Sequence, residues 1–267
     1  HLIINSETGQ WGTAYNAEHD FAHVPMDVGE LEMPADQLVI SVAEGKLGFD
    51  WILIDCEHGS VSPESVEMMA LAAEATGITP IARPWKNSPE SILRVMDRGV
   101  MGVQVPHVNT AEEARQAVDS AMYHPLGSRG LAAGTRNSDY GLGLHMEEYV
   151  KEANRETIVC VQLEDVEALE NVDEILSVDG VDVFFLGPSD LSQAIGYPGR
   201  SDHPEVQQAM SKAFTKIVKA GKVPGSAGNA EAINRYLAEG ALYLYTHVPT
   251  LLRNASNTFL KSVGSEL

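Results

Sequence analysis

The sequence predicts a single (β/α)8 barrel, and three observations carry that prediction. The chain has 267 residues, a length that suits one barrel of about 250 residues as well as it suits two average domains. From about residue 50 onward, short apolar runs alternate with segments of helical period, the pattern of βα units around a parallel sheet. The apolar runs are near-continuous rather than alternating, as expected of strands buried on both faces. A doubly wound open sheet is the runner-up, weakened because no strand is followed by a GxGxxG turn.

Taken in order, the first strand is the weakest: HDFAHVPM (19–26), inside an atypical N-terminal segment (1–48). FDWILIDCEH (49–58), TPIARP (79–84), GVQVPHV (102–108), IVCVQLE (158–164), VDVFFLG (181–187), KVPGSAG (222–228) and ALYLYTHV (241–248) supply seven more. The helices between them carry start signals. Ser62-Pro63-Glu64, Ser88-Pro89-Glu90 and His203-Pro204-Glu205 each place Pro at a first helical position beside an acid. Asn109 or Thr110 caps the next helix, and Asp165 is the expected cap of VEALENVDEIL. Gly77, Gly99, Gly180, Gly221 and Gly240 stop helices ahead of strands. The stretch 127–157 is long and at first Gly-rich, which reads as a functional βα loop or a short extra helix. No interdomain linker interrupts the chain, so residues 1–267 are expected to form one domain.

Composition excludes several function classes. Lys and Arg number 18 against 38 Asp and Glu, a formal charge of −20, which argues against nucleic acid or an anionic membrane as partner. Two cysteines, Cys56 and Cys160, make neither a disulfide framework nor a four-cysteine zinc site, and both sit in strand-like runs as small core residues. No window approaches the ~20 apolar residues of a membrane span. No basic start leads into an apolar signal core, and a cytoplasmic enzyme is the expectation.

In such a barrel, chemistry gathers where strands end. The ends here are polar although the strands are apolar: Asp55-Cys56-Glu57-His58, Arg83, His107, Gln162 with Glu164, Gly187-Pro188-Ser189-Asp190, and His247. Glu164 and Asp190 end consecutive strands, and two carboxylates at one rim repel unless one is protonated or a cation lies between them. A hard divalent ion resolves this; the bland reading is that both acids cap helices. Arg83 reads as an oxyanion clamp or as half of a salt bridge to a barrel carboxylate. His58 lies three residues after Asp55, which can fix its tautomer and leave the second ring nitrogen as base. His107 and His124 read as structural. Of the eight lysines only Lys222 touches a strand run, at its amino end, and none lies at a carboxyl end proper, so a Schiff-base mechanism lacks its desolvated amine.

FDWILIDCEHG, ARPWKNSPESILRVMDRGVMGVQVPHVNTAEEARQAV, HPLGSRG, VQLED and GVDVFFLGPSDLSQAIGYPG together resemble the metal-dependent (class II) pyruvate aldolases of the HpcH/HpaI family, over roughly residues 49–240. The resemblance implies a metal ion (Mg2+, Mn2+ or Co2+) on Glu164 and Asp190, and His58, oriented by Asp55, as general acid/base. It implies Arg83 at the enolate oxygen, and Gln162 with the backbone around Pro188 and Ser189 on pyruvate. It places Arg129 near the acceptor aldehyde and Asp97 near a neighbouring subunit's site. It further implies a homohexamer whose last helix (249–263) is swapped between paired barrels. The chain departs from the family pattern in its first 48 residues and at THVPT, where relatives usually carry a Gly-Val-Asp-like turn.

The expected function is reversible aldol cleavage of a 4-hydroxy-2-oxo acid to pyruvate and an aldehyde. One alternative makes the same enolate by decarboxylating oxaloacetate, which a product assay without aldehyde separates. A non-catalytic 2-oxo acid binder is the second, marked by pyruvate binding without enolisation. A CoA-thioester lyase is the third, and no basic, adenine-sized feature supports it.

Overall fold

The computed structural model describes residues 2–3 and 35–263. In chain order the elements are β1 (Leu2–Ile3), α1 (Ala35–Lys46), β2 (Trp51–Asp55), α2 (Pro63–Glu74), β3 (Thr79–Arg83), α3 (Pro89–Met96), β4 (Gly102–Val105) and α4 (Ala111–Ala121). A 3-10 helix (Arg136–Gly141) precedes α5 (Met146–Glu156), β5 (Ile158–Leu163), α6 (Val166–Glu170), α7 (Val172–Leu176), β6 (Val183–Leu186) and α8 (Pro188–Ala194). The chain continues through α9 (Pro204–Lys219), β7 (Val223–Ala227), α10 (Ala230–Ala238), β8 (Tyr243–Tyr245) and α11 (Val248–Ser262).

The sheet corrects the expected closed eight-stranded barrel. Strands β2 to β8 are parallel to their neighbours and follow in sequence order, a strongly curled but open half-barrel of seven parallel strands. The outer edge of β8 is taken by β1, which runs antiparallel with Leu2 opposite Leu244 and Ile3 opposite Tyr243. Among the described residues no strand joins that edge to β2. The expected first strand (19–26) lies outside the described residues. Among the described residues the sheet therefore has seven parallel strands and not the eight that a closed barrel requires.

The helix-start signals act as read. Ser62 accepts a hydrogen bond from the Ser65 N–H, and Ser88 from that of Ser91. Thr110 and Glu113 form a reciprocal capping box at α4. Asp165 differs: it occupies the cap position of α6, but its side chain makes no cap bond and turns instead to His107 and Asn109.

Period-2 alternation sorts the strand residues into two cores. Ile52, Ile54, Ala82, Val103, Val105, Val159, Val161, Leu163, Phe184, Leu186 and Leu244 face the helices. Trp51, Ile81, Cys160, Val183, Phe185, Ala227, Tyr243 and Tyr245 fill the inside of the curl. There Trp51 of β2 meets Tyr243 of β8 with ring centroids 4.2 Å apart, and Tyr245 edge-on at 5.9 Å. Phe185 stacks on Tyr245 at 5.2 Å. Side chains thus bring the two ends of the half-barrel together where backbone pairing does not.

If this aromatic cluster holds the curl, Trp51→Ala should destabilise the protein by roughly 3–5 kcal/mol, the usual loss for a fully buried large aromatic. Urea unfolding measures it, and a loss below about 1 kcal/mol would show that the curl is held elsewhere.

Candidate active site at the strand ends

The inward-facing positions that fill the curl with aromatics become polar toward the carboxyl ends. Asp55 and Arg83 are directly opposite each other on β2 and β3. The Arg83 Nε donates to Asp55 Oδ1 at 2.8 Å and its Nη2 to Oδ2 at 2.5 Å. Its Nη1 lies 3.1 Å from Glu57 Oε2. Arg83 is buried, so without these carboxylates its charge would be costly. Burial pushes the Asp55 carboxyl up, but the hydrogen bonds and charge of Arg83 outweigh it and hold the group below its ordinary value.

His58 does not receive the Asp55 carboxylate on its ring. Its backbone N–H donates to Asp55 Oδ1 at 3.3 Å, while its exposed imidazole has Nε2 3.8 Å from Glu57 Oε2. Asp55 orients the His58 main chain, and Glu57 faces the ring. Cys56 between them is buried, and burial followed by the Asp55 charge pushes its thiol up to about 12, so it is no nucleophile at neutral pH.

Glu164 follows β5 and is 1% exposed. Its Oε1 accepts the His107 N–H at 3.0 Å and its Oε2 accepts from Gln162 Nε2 at 2.7 Å. Gln162 Oε1 in turn accepts from Gln104 Nε2 on the neighbouring strand β4. Burial raises the Glu164 carboxyl above its ordinary value, and the Asp190 charge acts in the same direction, while His107 and Gln162 offset only part. Asp190 stands in the first turn of α8, with Pro188 and Ser189 ahead of it.

His107 joins the two halves of the site. Its φ of +50° is left-handed, a conformation that costs a non-glycine residue roughly 1–3 kcal/mol. That geometry aims its N–H at Glu164 and sets its ring among acids. Nδ1 lies 3.2 Å from Asp165 Oδ2 and 3.6 Å from Glu164 Oε1, and Nε2 lies 3.4 Å from Glu57 Oε1. Burial opposes its charge, but Glu164, Asp165 and Glu57 outweigh this and raise the imidazole above its ordinary value.

The donor set suits a hard divalent cation: two carboxylates, one of them buried and electrostatically strained by the other. Among the described residues no group of three or more His, Cys, Asp and Glu is placed to hold a metal ion, so water and substrate would have to supply the positions beyond the two carboxylates.

With this geometry established, comparison with known proteins is decisive. Residues 34–244 match the HpcH/HpaI aldolase/citrate lyase family. The chain belongs to that family. Its chemistry is carbon–carbon bond cleavage and formation of the aldolase/lyase type. It is 39% identical over 222 residues to a 4-hydroxy-2-oxo-heptane-1,7-dioate aldolase of Shigella sonnei (strain Ss046), covering 82% of this chain and 84% of the other. It is 38% identical over 211 residues to a hydroxypyruvate/pyruvate aldolase of Sagittula stellata, covering 78% and 82%. Among solved structures, an HpcH/HpaI aldolase/citrate lyase family protein from Burkholderia cenocepacia superposes with a TM-score of 0.80 at 27% identity, covering 85% of this chain and 91% of the other.

Of the residues singled out in this HpcH/HpaI chain, Asp55, Arg83, Gln162, Glu164 and Asp190 come together with His58 at its edge. Arg129 and Asp97 do not join them. Arg129 Nη2 donates to Asp97 Oδ1 at 2.9 Å, and its guanidinium stacks on the Tyr123 ring at 4.6 Å. The pair fastens the loop after α4 to the end of α3. The stretch 127–157 holds the 3-10 helix and α5, and Asn137 ties the loop to Tyr123 and Tyr149. Glu57 was visible at a strand end without an assigned role and His107 was read as structural; position at the shared rim was the only signal for either. His247 sets its ring edge-on to Tyr245 at 5.6 Å.

A carboxyl held below its ordinary value contributes stability above the unfolded-state pKa of about 3.9 and loses it as pH falls through the folded value. Asp55→Asn should therefore be less stable than the parent at neutral pH by about 1–3 kcal/mol. The two urea midpoints should converge as pH falls below about 4 and on through the lowered folded value. A gap independent of pH would show that Asp55 does not act through its charge on Arg83.

Proposed function

We propose that the chain catalyses divalent-metal-dependent, reversible aldol cleavage of a 4-hydroxy-2-oxo acid to pyruvate and an aldehyde. The observation that carries this reading is the buried Glu164 carboxylate, raised by burial, pressed by Asp190 and linked through His107 and Glu57 to Arg83. The names of the Shigella and Sagittula relatives support a 2-oxo acid as the donor half.

Glu164 and Asp190 are the residues that would hold Mg2+, Mn2+ or Co2+. When bound, such an ion supplies a Lewis acid for the negative charge that develops on the pyruvate half. Arg83 adds a fixed positive charge for the enolate oxygen, its guanidinium clamped by Asp55 and Glu57. Gln162 gives one amide hydrogen to Glu164 and keeps the second for the keto acid. The backbone around Pro188 and Ser189 completes the pyruvate cradle. His58, beside Glu57, takes the proton of the C4 hydroxyl in cleavage and returns it in synthesis. Arg129 and Asp97 serve the acceptor side through the loop they fasten.

Pyruvate C3 proton exchange in deuterated water tests metal, acid/base and enolate without knowledge of the aldehyde. Exchange should require Mg2+, Mn2+ or Co2+ and vanish in Glu164→Gln at ordinary metal concentration. His58→Ala should keep pyruvate affinity and lose about 10²–10⁴-fold in aldol turnover. Full exchange by Glu164→Gln in excess chelator would overturn the reading.

Helix α11 buries no residue, and Leu251, Leu252 and Phe259 are exposed along it. This supports a homo-oligomer, a hexamer by resemblance, in which residues 249–263 lie against a paired subunit. No described helix is long and apolar enough to cross a membrane, and the reading is of a cytoplasmic enzyme. Light scattering on a Leu252→Glu, Phe259→Glu double variant should show a smaller assembly. An unchanged mass would remove α11 from the interface.

A further inference from the structure

We propose that Gly187 is a positioning residue for Glu164: the hydrogen in place of its side chain is the space in which the carboxylate sits. The inference rests on the reading of Glu164 as a metal ligand and extends it to a residue with no functional atom of its own.

Gly187 lies at the end of β6, just ahead of α8. Its φ of −80° and ψ of 98° are extended and open to any L-residue, including one before proline. Backbone conformation therefore does not require glycine here, in contrast to Gly180, with φ of +85°. Space does. A Cβ at position 187 would lie 2.5 Å from Glu164 Oε2 and 3.1 Å from Glu164 Cβ. The first distance is well inside van der Waals contact.

A flexible side chain would swing aside from such a clash, but Glu164 is not free to do so. His107 N–H holds Oε1 and Gln162 Nε2 holds Oε2, and the residue is buried. Movement away from position 187 would break one or both bonds and leave a carboxylate in low dielectric with fewer donors. The same glycine opens the face of Glu164 toward the strand end from which Asp190 follows three residues later. A methyl group there would displace the oxygen that the proposed ion needs while leaving the backbone unstrained.

A thermal and metal-binding cycle tests this with Gly187→Ala, Glu164→Ala and the double variant. Gly134→Ala is the control, because a Cβ there meets nothing within 4 Å. Gly187→Ala should melt below the parent, whereas the same substitution in the Glu164→Ala background should leave the melting temperature unchanged or raise it, since the clashing carboxylate is gone. In proton relaxation titrations with Mn2+ alone, Gly187→Ala should bind at least tenfold more weakly than the parent, and Gly134→Ala like the parent. Equal thermal losses in both backgrounds, or parental Mn2+ affinity in Gly187→Ala, would overturn the proposal. Parental Mn2+ affinity in Glu164→Ala would instead overturn the ligand role of Glu164. Should Gly187→Ala fail to fold, recovery of folding by the double variant supports the proposal, and its absence overturns it.

Discussion

Everything in this structure depends on the two-residue period of parallel strands that must satisfy two environments at once. One face of each strand packs on helices and the other looks into the curl, so each strand has to choose side chains for both. Inside, Trp51, Phe185, Tyr243 and Tyr245 exclude water. Past them the same inward positions become Asp55, Arg83, Gln104 and Gln162, and Glu164 follows. Polar groups placed beyond a dry aromatic layer must pair with one another. They do so across strands that are neighbours in the sheet, and the active centre is the result of that pairing.

The strands and caps were legible because their signals are local. Continuous apolar runs, Ser-Pro-Glu starts and glycine stops act within a few residues, and from residue 50 onward they appear where the sequence placed them. Closure was not legible. Whether seven strands or eight complete the ring depends on an N-terminal run whose pattern is weak, and β8 ends up bordered by the antiparallel β1 instead. The pairing partners of Asp55 and Arg129 are not local either. Asp55 lies closer in sequence to His58 than to Arg83, but strand register puts it opposite Arg83, and a buried guanidinium outcompetes an exposed imidazole for a carboxylate. Arg129 pairs with Asp97 at the end of α3, a contact 32 residues away in sequence.

The rim also has an unequal charge inventory. Asp55, Glu57, Glu164, Asp165 and Asp190 gather around Arg83 and the His107 ring, with the exposed His58 ring at the edge beside Glu57. Neighbouring acids raise His107 and burial raises Glu164, so both shifts act to lessen the same excess of negative charge. A strained backbone at His107 is tolerated because one residue then supplies an N–H to the buried acid and a protonatable ring to its neighbours.

The amide of Gln162 has a consequence of its own. A glutamine side chain is nearly symmetric in shape, and most sites can accept it in either of two orientations. Here Gln104 addresses one end as donor and Glu164 the other as acceptor, so only one orientation satisfies both. The direction of hydrogen bonding at the mouth of the site is thereby dictated from β4, deep in the sheet, by a residue that need never meet the substrate.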